Sequence, residues 1–323
     1  MVAAVRVHQT GGPEVLKYED VPVKEPGQGE IKIKQTAIGL NYIDTYFRTG
    51  LYPAALPFII GNEGAGVVTA VGPGVKGLKK GDRVAYVFTL GGYAAERILP
   101  ADRAVKIPPK IDDKTAAAMM LKGMTAQYLL RRTFKVKKGD TILVHAAAGG
   151  VGLILCQWGR ALGATVIGTA GSKEKTELAR KHGAHHAINY NEGNWVARVA
   201  EITGGKKCDV VYDGVGKATF MGSLDCLRPL GMMVIYGNAS GPVDNFNTGI
   251  QAQKGSLFLT RPTLFTYTAS AKDLQATAKD LIDVVLKKKV KIEVNQTYPL
   301  KEAQQAHRDL ESRKTTGQTV LLP

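Results

Sequence analysis

The sequence predicts an α/β fold in which a β-rich part is followed by a doubly wound parallel sheet of six strands. Three observations predict it. Residues 1 to about 125 carry short strand-like runs separated by Gly, Pro and Asp turns. From about residue 126 strands alternate with helices, the pattern of a parallel sheet covered on both faces. At the head of that alternation a strand, a small-residue turn and a helix run from Gly139 to Leu162.

In the first part, Val2 to His8, Ile31 to Ile38, Gly66 to Val71 and Arg83 to Phe88 read as strands. Gly72-Pro73-Gly74-Val75 and Lys80-Gly81-Asp82 are the strongest turns between them. In the second part, Thr141 to His145 is a buried strand and Leu153 to Leu162 its helix. Ala164 to Thr169 is the second strand, and Lys173 to His182 a helix closed by Gly183. Ala187 to Asn189 is the third, and Trp195 to Ile202 a helix closed by Gly204-Gly205. Asp209 to Asp213, Met232 to Tyr236 and Ser256 to Thr260 complete the six. Ala271 to Lys287 is then an amphipathic helix, Lys291 to Pro299 strand-like, Lys301 to Arg313 a helix and Gln318 to Leu322 a last strand. This tail has too little apolar content to fold alone, so it is expected to rejoin the first part. A chain of 323 residues suits about two domains. The expected division sets 1–125 with 262–323 against 126–261.

Hydrophobic residues at 44% and charged residues at 22% are those of an ordinary globular chain, and no apolar run reaches membrane-spanning length. The N-terminus alternates like a strand and carries no secretory apolar core. Cys156, Cys208 and Cys226 are odd in number and set among apolar residues, as free thiols of a reducing cytoplasm are. The net charge of +15 attracts anions, but the basic residues are scattered and accompany no nucleic-acid-binding motif. The excess therefore reads as solvated surface that also helps gather a polyanionic ligand.

The Gly139–Gly152 stretch carries the clearest chemistry. Gly149 and Gly152 match the last two glycines of G-x-G-x-x-G, and Ala147 takes the place of the first. Such a turn, together with Gly150 and Val151, brings backbone N–H groups close to a diphosphate at a helix N-terminus. The pattern predicts dinucleotide binding. An NAD site presents an acidic residue at the end of the second strand. Here Thr169-Ala170-Gly171-Ser172-Lys173-Glu174-Lys175 is small and neutral, then basic, which leaves room for a 2′-phosphate and cations to pair with it. NADPH is the expected cofactor.

The chain resembles the quinone oxidoreductases, the zeta-crystallin-like branch of the medium-chain dehydrogenase/reductase superfamily. The resemblance runs end to end through His8-x-x-Gly11-Gly12-Pro13-Glu14-Val15-Leu16, Gly39 to Tyr46, Gly50-Leu51-Tyr52-Pro53 and Gly61 to Gly66. It continues through Ala146 to Gly152, Asp213-Gly214-Val215-Gly216 and Gly231 to Gly237. It implies a GroES-like β-rich catalytic domain that holds both chain ends, with a Rossmann domain inserted between them. Zinc-dependent relatives use a Cys near Asn41, a His beside Glu63 and a lobe of four close Cys; here Asn41 and Asn62 stand at the first two places. No metal is expected, and Asp44 and Glu63 are expected to satisfy buried backbone groups.

By the same resemblance Asn41, Tyr46, Tyr52 and Thr125 line the catalytic cleft beside the nicotinamide. Gly171, Ser172, Lys175, Tyr190 and Arg313 surround the adenosine phosphate. Val215, Gly237 and Asn238 follow strand ends near the nicotinamide ribose, with Leu259 and Arg261 near the carboxamide. The implied reaction is zinc-independent hydride transfer from NADPH to a quinone, which needs no dedicated general acid because the reduced product stabilises negative charge. An enone, enal or enoyl reductase would use the same cofactor site and differ in cleft shape. A second alternative is an RNA-binding or crystallin-type protein using the cofactor cleft. Residues 254–260 form an edge strand expected to pair with its copy in a homodimer.

Overall fold

The computed structural model describes all 323 residues. The chain divides into two compact units, Met1–Met124 with Thr268–Leu286 and Ile292–Pro323, and Thr125–Tyr267 with Lys287–Lys291.

The first unit opens with β1 (Val2–Val7), β2 (Leu16–Val21) and β3 (Glu30–Leu40), then α1 (Tyr42–Thr49) and β4 (Phe58–Ile59). It continues with β5 (Glu63–Val71), β6 (Arg83–Val87), β7 (Glu96–Pro100) and β8 (Ala104–Lys106), and α2 (Asp113–Tyr128) passes from it into the second unit at Thr125. In β3, Ile31 and Ile33 are buried and Lys34 is exposed, the period of two of a half-covered strand; from Ala37 to Leu40 every residue is buried. β2 was absent from the sequence reading because its interior, Lys17 to Asp20, is polar and faces outward at a sheet edge.

The second unit alternates β9 (Thr141–Val144), α3 (Gly150–Ala161), β10 (Thr165–Ala170), α4 (Lys173–Lys181), β11 (His186–Asn189) and α5 (Trp195–Ile202). It then runs through β12 (Cys208–Asp213), α6 (Phe220–Asp225), β13 (Leu227–Ile235), α7 (Gly249–Gln253), β14 (Phe258–Thr260) and α8 (Leu264–Tyr267). The six strands lie in the order β11-β10-β9-β12-β13-β14, all pairs parallel. The order reverses between β9 and β12, where such sheets take ligands at their carboxyl ends. Their inner faces bury Leu143, Ile167, Val211 and Met233 in one core with Phe220 and Leu224 of α6.

After the second unit come α9 (Ala271–Leu286), β15 (Val294–Pro299), α10 (Ala303–Glu311) and β16 (Gln318–Leu322). β16 pairs antiparallel with β3, setting Thr319 opposite Leu40. Leu300, Ala303, Ala306 and Leu321 share a core with Val5, Leu40, Ile60 and Tyr93, which is how an apolar-poor tail becomes ordered. Several helices differ from the sequence reading: the short α1, α6, α7 and α8 were not anticipated, and α10 is shorter than the expected 301–313. α3 begins at Gly150 instead of Leu153, so the glycines are its first turn. α2 was not anticipated, because Ala116-Ala117-Ala118-Met119-Met120 is small and apolar on every side and shows no periodicity. No helix is long and apolar enough to cross a membrane.

Gly123 of α2 gives room to Leu281 of α9; a Cβ there would stand 2.6 Å from Leu281 Cδ1. Leu281 is fully buried. Leu281→Ala should lower the stability of the first unit by about 2–5 kcal/mol, read as a drop in the urea midpoint with little change in slope.

Candidate functional site

In the second unit the turn after β9 is closed by Gly149 N donating to Ala146 O at 2.9 Å and tied to β10 by Ala147 N donating to Thr169 O at 2.9 Å. A Cβ on Gly152 would overlap Ala146 O, so only glycine lets the helix start this close to the turn. Gly149 is the N-cap of α3, and no side chain caps it. The neighbouring helices are capped, α4 by Ser172 Oγ and α5 by Asn194. A helix N-terminus without a side-chain cap at the carboxyl end of a central parallel strand fits a diphosphate.

β10 ends at Ala170, whose carbonyl accepts from Tyr190 N at 3.1 Å. A Cβ on Gly171 would lie 2.7 Å from the Tyr190 hydroxyl, so these two predicted residues are in contact. Ser172 Oγ accepts from Lys175 N at 3.3 Å, which makes Ser172 a cap and leaves Lys175 half-buried in the first turn. The Glu174 carboxyl is held below its usual range by its own backbone N–H and by Ser172, so it serves its helix end. No carboxylate stands at the strand terminus itself.

Beyond β12, β13 and β14 the predicted residues also meet. Asp213 Oδ1 accepts from Val215 N and Gly216 N at 2.8 and 3.0 Å, shaping the Asp213–Gly216 turn. Gly237 lies against Gly214, where a Cβ would come 2.5 Å from its carbonyl oxygen. With its amide turned so that both ends are satisfied, Asn238 accepts from Arg261 Nη2 at 3.3 Å. Leu259 lies within β14, half-buried, and Thr125 opens this unit with 7% exposure.

In the first unit Asn41, the N-cap of α1, stands over two fully buried carboxyls. Asn41 Nδ2 donates to Glu63 Oε2 at 2.7 Å, and Asn62 Nδ2 to Asp44 Oδ1 at 2.8 Å. Asp44 Oδ2 accepts from Asn41 N at 2.9 Å, and Glu63 Oε1 from Leu121 N at 2.7 Å. Asn41 and Asn62, expected to stand where zinc-dependent relatives carry a Cys and a His, thus point their N–H groups at carboxylates. Lys122, also buried, lies 3.7 Å from Glu63 and donates to Leu40 O. Burial pushes the Asp44 carboxyl up to about 6 against its three donors, and pushes Glu63 up against Lys122. Asn41 Oδ1 is buried and faces the first turn of α1, where the Asp44 N–H bonds the Asn41 backbone carbonyl at 3.0 Å.

Tyr46 and Tyr52 sit edge to face with centroids 5.3 Å apart, and Tyr46 also meets Tyr42 at 5.8 Å. Tyr46 is only 9% exposed, whereas Tyr52 is half-buried. Arg313 follows α10, exposed, in a left-handed backbone conformation.

Sequence reasoning missed the residues behind Asp44. Tyr93 Oη lies 3.1 Å from Asp44 Oδ2 and 3.1 Å from His307 Nε2, and Arg48 Nη1 lies 2.9 Å from His307 Nδ1. Arg48 pairs in turn with Glu311. Arginine can only donate, so Nδ1 accepts, Nε2–H donates to Tyr93, and the Tyr93 hydroxyl donates to Asp44. The three-residue step from Asn41 to Asp44 is a capping-box spacing, a local signal that the sequence reading did not use; the long-range members carry none.

A glycine turn on the first strand of a six-stranded parallel sheet, in one chain with a β-rich unit, defines a medium-chain dehydrogenase or reductase. Residues 27–109 match the alcohol dehydrogenase GroES-like domain, and residues 150–286 the zinc-binding dehydrogenase family. The chain is 53% identical to a quinone oxidoreductase of Pseudomonas aeruginosa, covering 100% of both. It is 47% identical to a 2-haloacrylate reductase of a Burkholderia species, covering 100% of this chain and 99% of that one. The Escherichia coli quinone oxidoreductase solved with NADPH superposes with a TM-score of 0.98 at 48% identity, over 99% of this chain and 100% of that one. The chain belongs to the quinone oxidoreductase family.

Burial, aided by Arg48, holds the His307 imidazole down to about 3. Between about pH 3 and 6.5 the unfolded chain binds a proton there that the folded chain refuses, so this group's contribution rises with pH and is lost as pH falls. The stability difference between the parent and His307→Gln should therefore grow by roughly 3–5 kcal/mol from pH 3 to 6.5 and stay level above. Denaturant titrations across that range check it; a constant difference would refute it.

Proposed function

We propose that the protein is an NADPH-dependent quinone reductase that works without zinc. The carrying observation is the β10 terminus, where Gly171, Ser172 and Lys175 stand with Tyr190 and no carboxylate occupies the strand end. Gly149 to Gly152 would hold the diphosphate at the α3 N-terminus. Lys175 would neutralise the 2′-phosphate. The Val215, Gly237, Asn238, Leu259 and Arg261 set would receive the nicotinamide end, with glycine admitting close backbone approach. When bound, NADPH supplies two electrons as hydride.

On the first unit, Asn41, Tyr46 and Tyr52 would meet the acceptor. Tyr52, the more exposed ring, suits stacking on a planar quinone, and its hydroxyl can donate to a quinone oxygen. Asp44 and Glu63 already receive Asn41, Asn62, Tyr93 and Leu121 as donors, so they hold Asn41 in place and are poorly disposed toward a cation. The proton that completes reduction can come from solvent. The relative named 2-haloacrylate reductase makes an activated alkene the competing acceptor. The free, buried Cys156, Cys208 and Cys226 suit a reducing cytoplasm, and β14 at the sheet edge, with Phe258 exposed, suits a homodimer.

A steady-state screen of NADPH and NADH against quinones, 2-haloacrylate and enals tests the reading, with NADPH-competed RNA binding as the arm for the other class. Quinone turnover with NADPH is the expected result. Lys175→Ala should weaken NADPH by about tenfold and NADH little, since only the former carries the phosphate. Chelation should leave turnover unchanged, whereas stoichiometric zinc in the active protein would overturn the metal-free mechanism.

A further inference from the structure

His145 directly follows β9, is fully buried, and has no part in the chemistry above. Its Nδ1 lies 2.8 Å from Thr169 Oγ1 in β10, and its Nε2 lies 2.9 Å from Ser223 Oγ on α6. Ser223 Oγ is 3.1 Å from Asp213 Oδ2 at the end of β12, and the Trp195 ring packs edge-on against the imidazole at 5.0 Å. Thr169, His145, Ser223 and Asp213 are all without solvent exposure. These residues join three adjacent strands, and β9 and β12 flank the reversal of strand order.

Counting hydrogens gives the chain a direction. Asp213 accepts on both oxygens, from Val215 N and Gly216 N on Oδ1 and from Thr219 Oγ1 at 2.7 Å on Oδ2. Ser223 has one hydroxyl proton and two acceptors in reach, Asp213 Oδ2 and Thr219 O at 2.8 Å. Thr219 O already receives the Ser223 backbone N–H at 2.8 Å, and the carboxylate is the stronger, charged acceptor, so the hydroxyl points at Asp213. The serine oxygen then accepts from Nε2–H, and the bare Nδ1 accepts from the Thr169 hydroxyl. Burial holds the imidazole below its ordinary pKa against the pull of Asp213, which keeps this neutral tautomer.

We propose that His145 is a positioning residue for the nicotinamide nucleotide: through Ser223 it sets the Asp213 carboxylate, and with it the Val215–Gly216 turn, in register with the end of β10. The proposal rests on the reading of the second unit as the NADPH-binding unit. An asparagine at 145 reaches only the Nδ1 position and keeps the Thr169 bond, whereas a glutamine reaches the Nε2 position and keeps the Ser223 bond.

NADPH dissociation constants, measured by fluorescence titration without any acceptor, test it. His145→Asn should weaken NADPH about tenfold, His145→Gln less than about threefold, and Ser223→Ala should match His145→Asn. Adding His145→Asn to Ser223→Ala should cost nothing further, because both break one link. Ser223→Ala removes a single oxygen and keeps the test open should the His145 variants not fold. Equal affinity in the parent and His145→Asn, equal loss in the Asn and Gln variants, or additive losses would each overturn the proposal. A parent that binds no NADPH would instead defeat the nucleotide reading, and this proposal with it.

Discussion

A carboxylate taken out of water must be met by donors, and three carboxyls without solvent exposure organise this protein: Asp44, Glu63 and Asp213. Each draws a loop onto itself. Asp44 gathers the start of α1, Asn62 and Tyr93; Glu63 gathers Asn41 and the backbone of α2; Asp213 gathers the turn after β12. Removing one donor from such a group strands an acceptor or a charge, so these loops are held more firmly than their irregular backbone suggests.

The same requirement accounts for the residues at the two zinc-ligand places of related dehydrogenases. Asn41 and Asn62 each spend an N–H on a carboxylate, and Lys122 adds a buried ammonium beside Glu63. Protein donors therefore answer the charge of both carboxyls. In the second unit the requirement is reversed. There the backbone N–H groups at the start of α3 lack a side-chain cap, and an anion is what such a terminus favours.

Much of the parallel sheet was legible because its signals are local. Trp195 to Ile202 and Gln318 to Leu322 have the bounds expected from periodicity, and the six strands occur in the expected places within a few residues. β2 and α2 were not legible. β2 is an edge strand with a polar interior, and α2 is buried on nearly all sides with polar residues among them, so neither has the periodic contrast that sequence reading requires. The Gly149–Gly152 turn and the Gly171–Lys175 segment were legible because both need particular small or basic residues at fixed offsets from a strand end.

Local chemistry determined where the chain turns and which turn suits a diphosphate: glycine, capping and charge act within a few residues. Tertiary structure alone decided which groups stand behind those turns. His307 reaches Asp44 through Tyr93 across more than 200 positions, and His145 reaches Asp213 through Ser223 on another helix. Buried hydrogen-bond partners are chosen by packing in three dimensions, and no spacing along the chain records that choice.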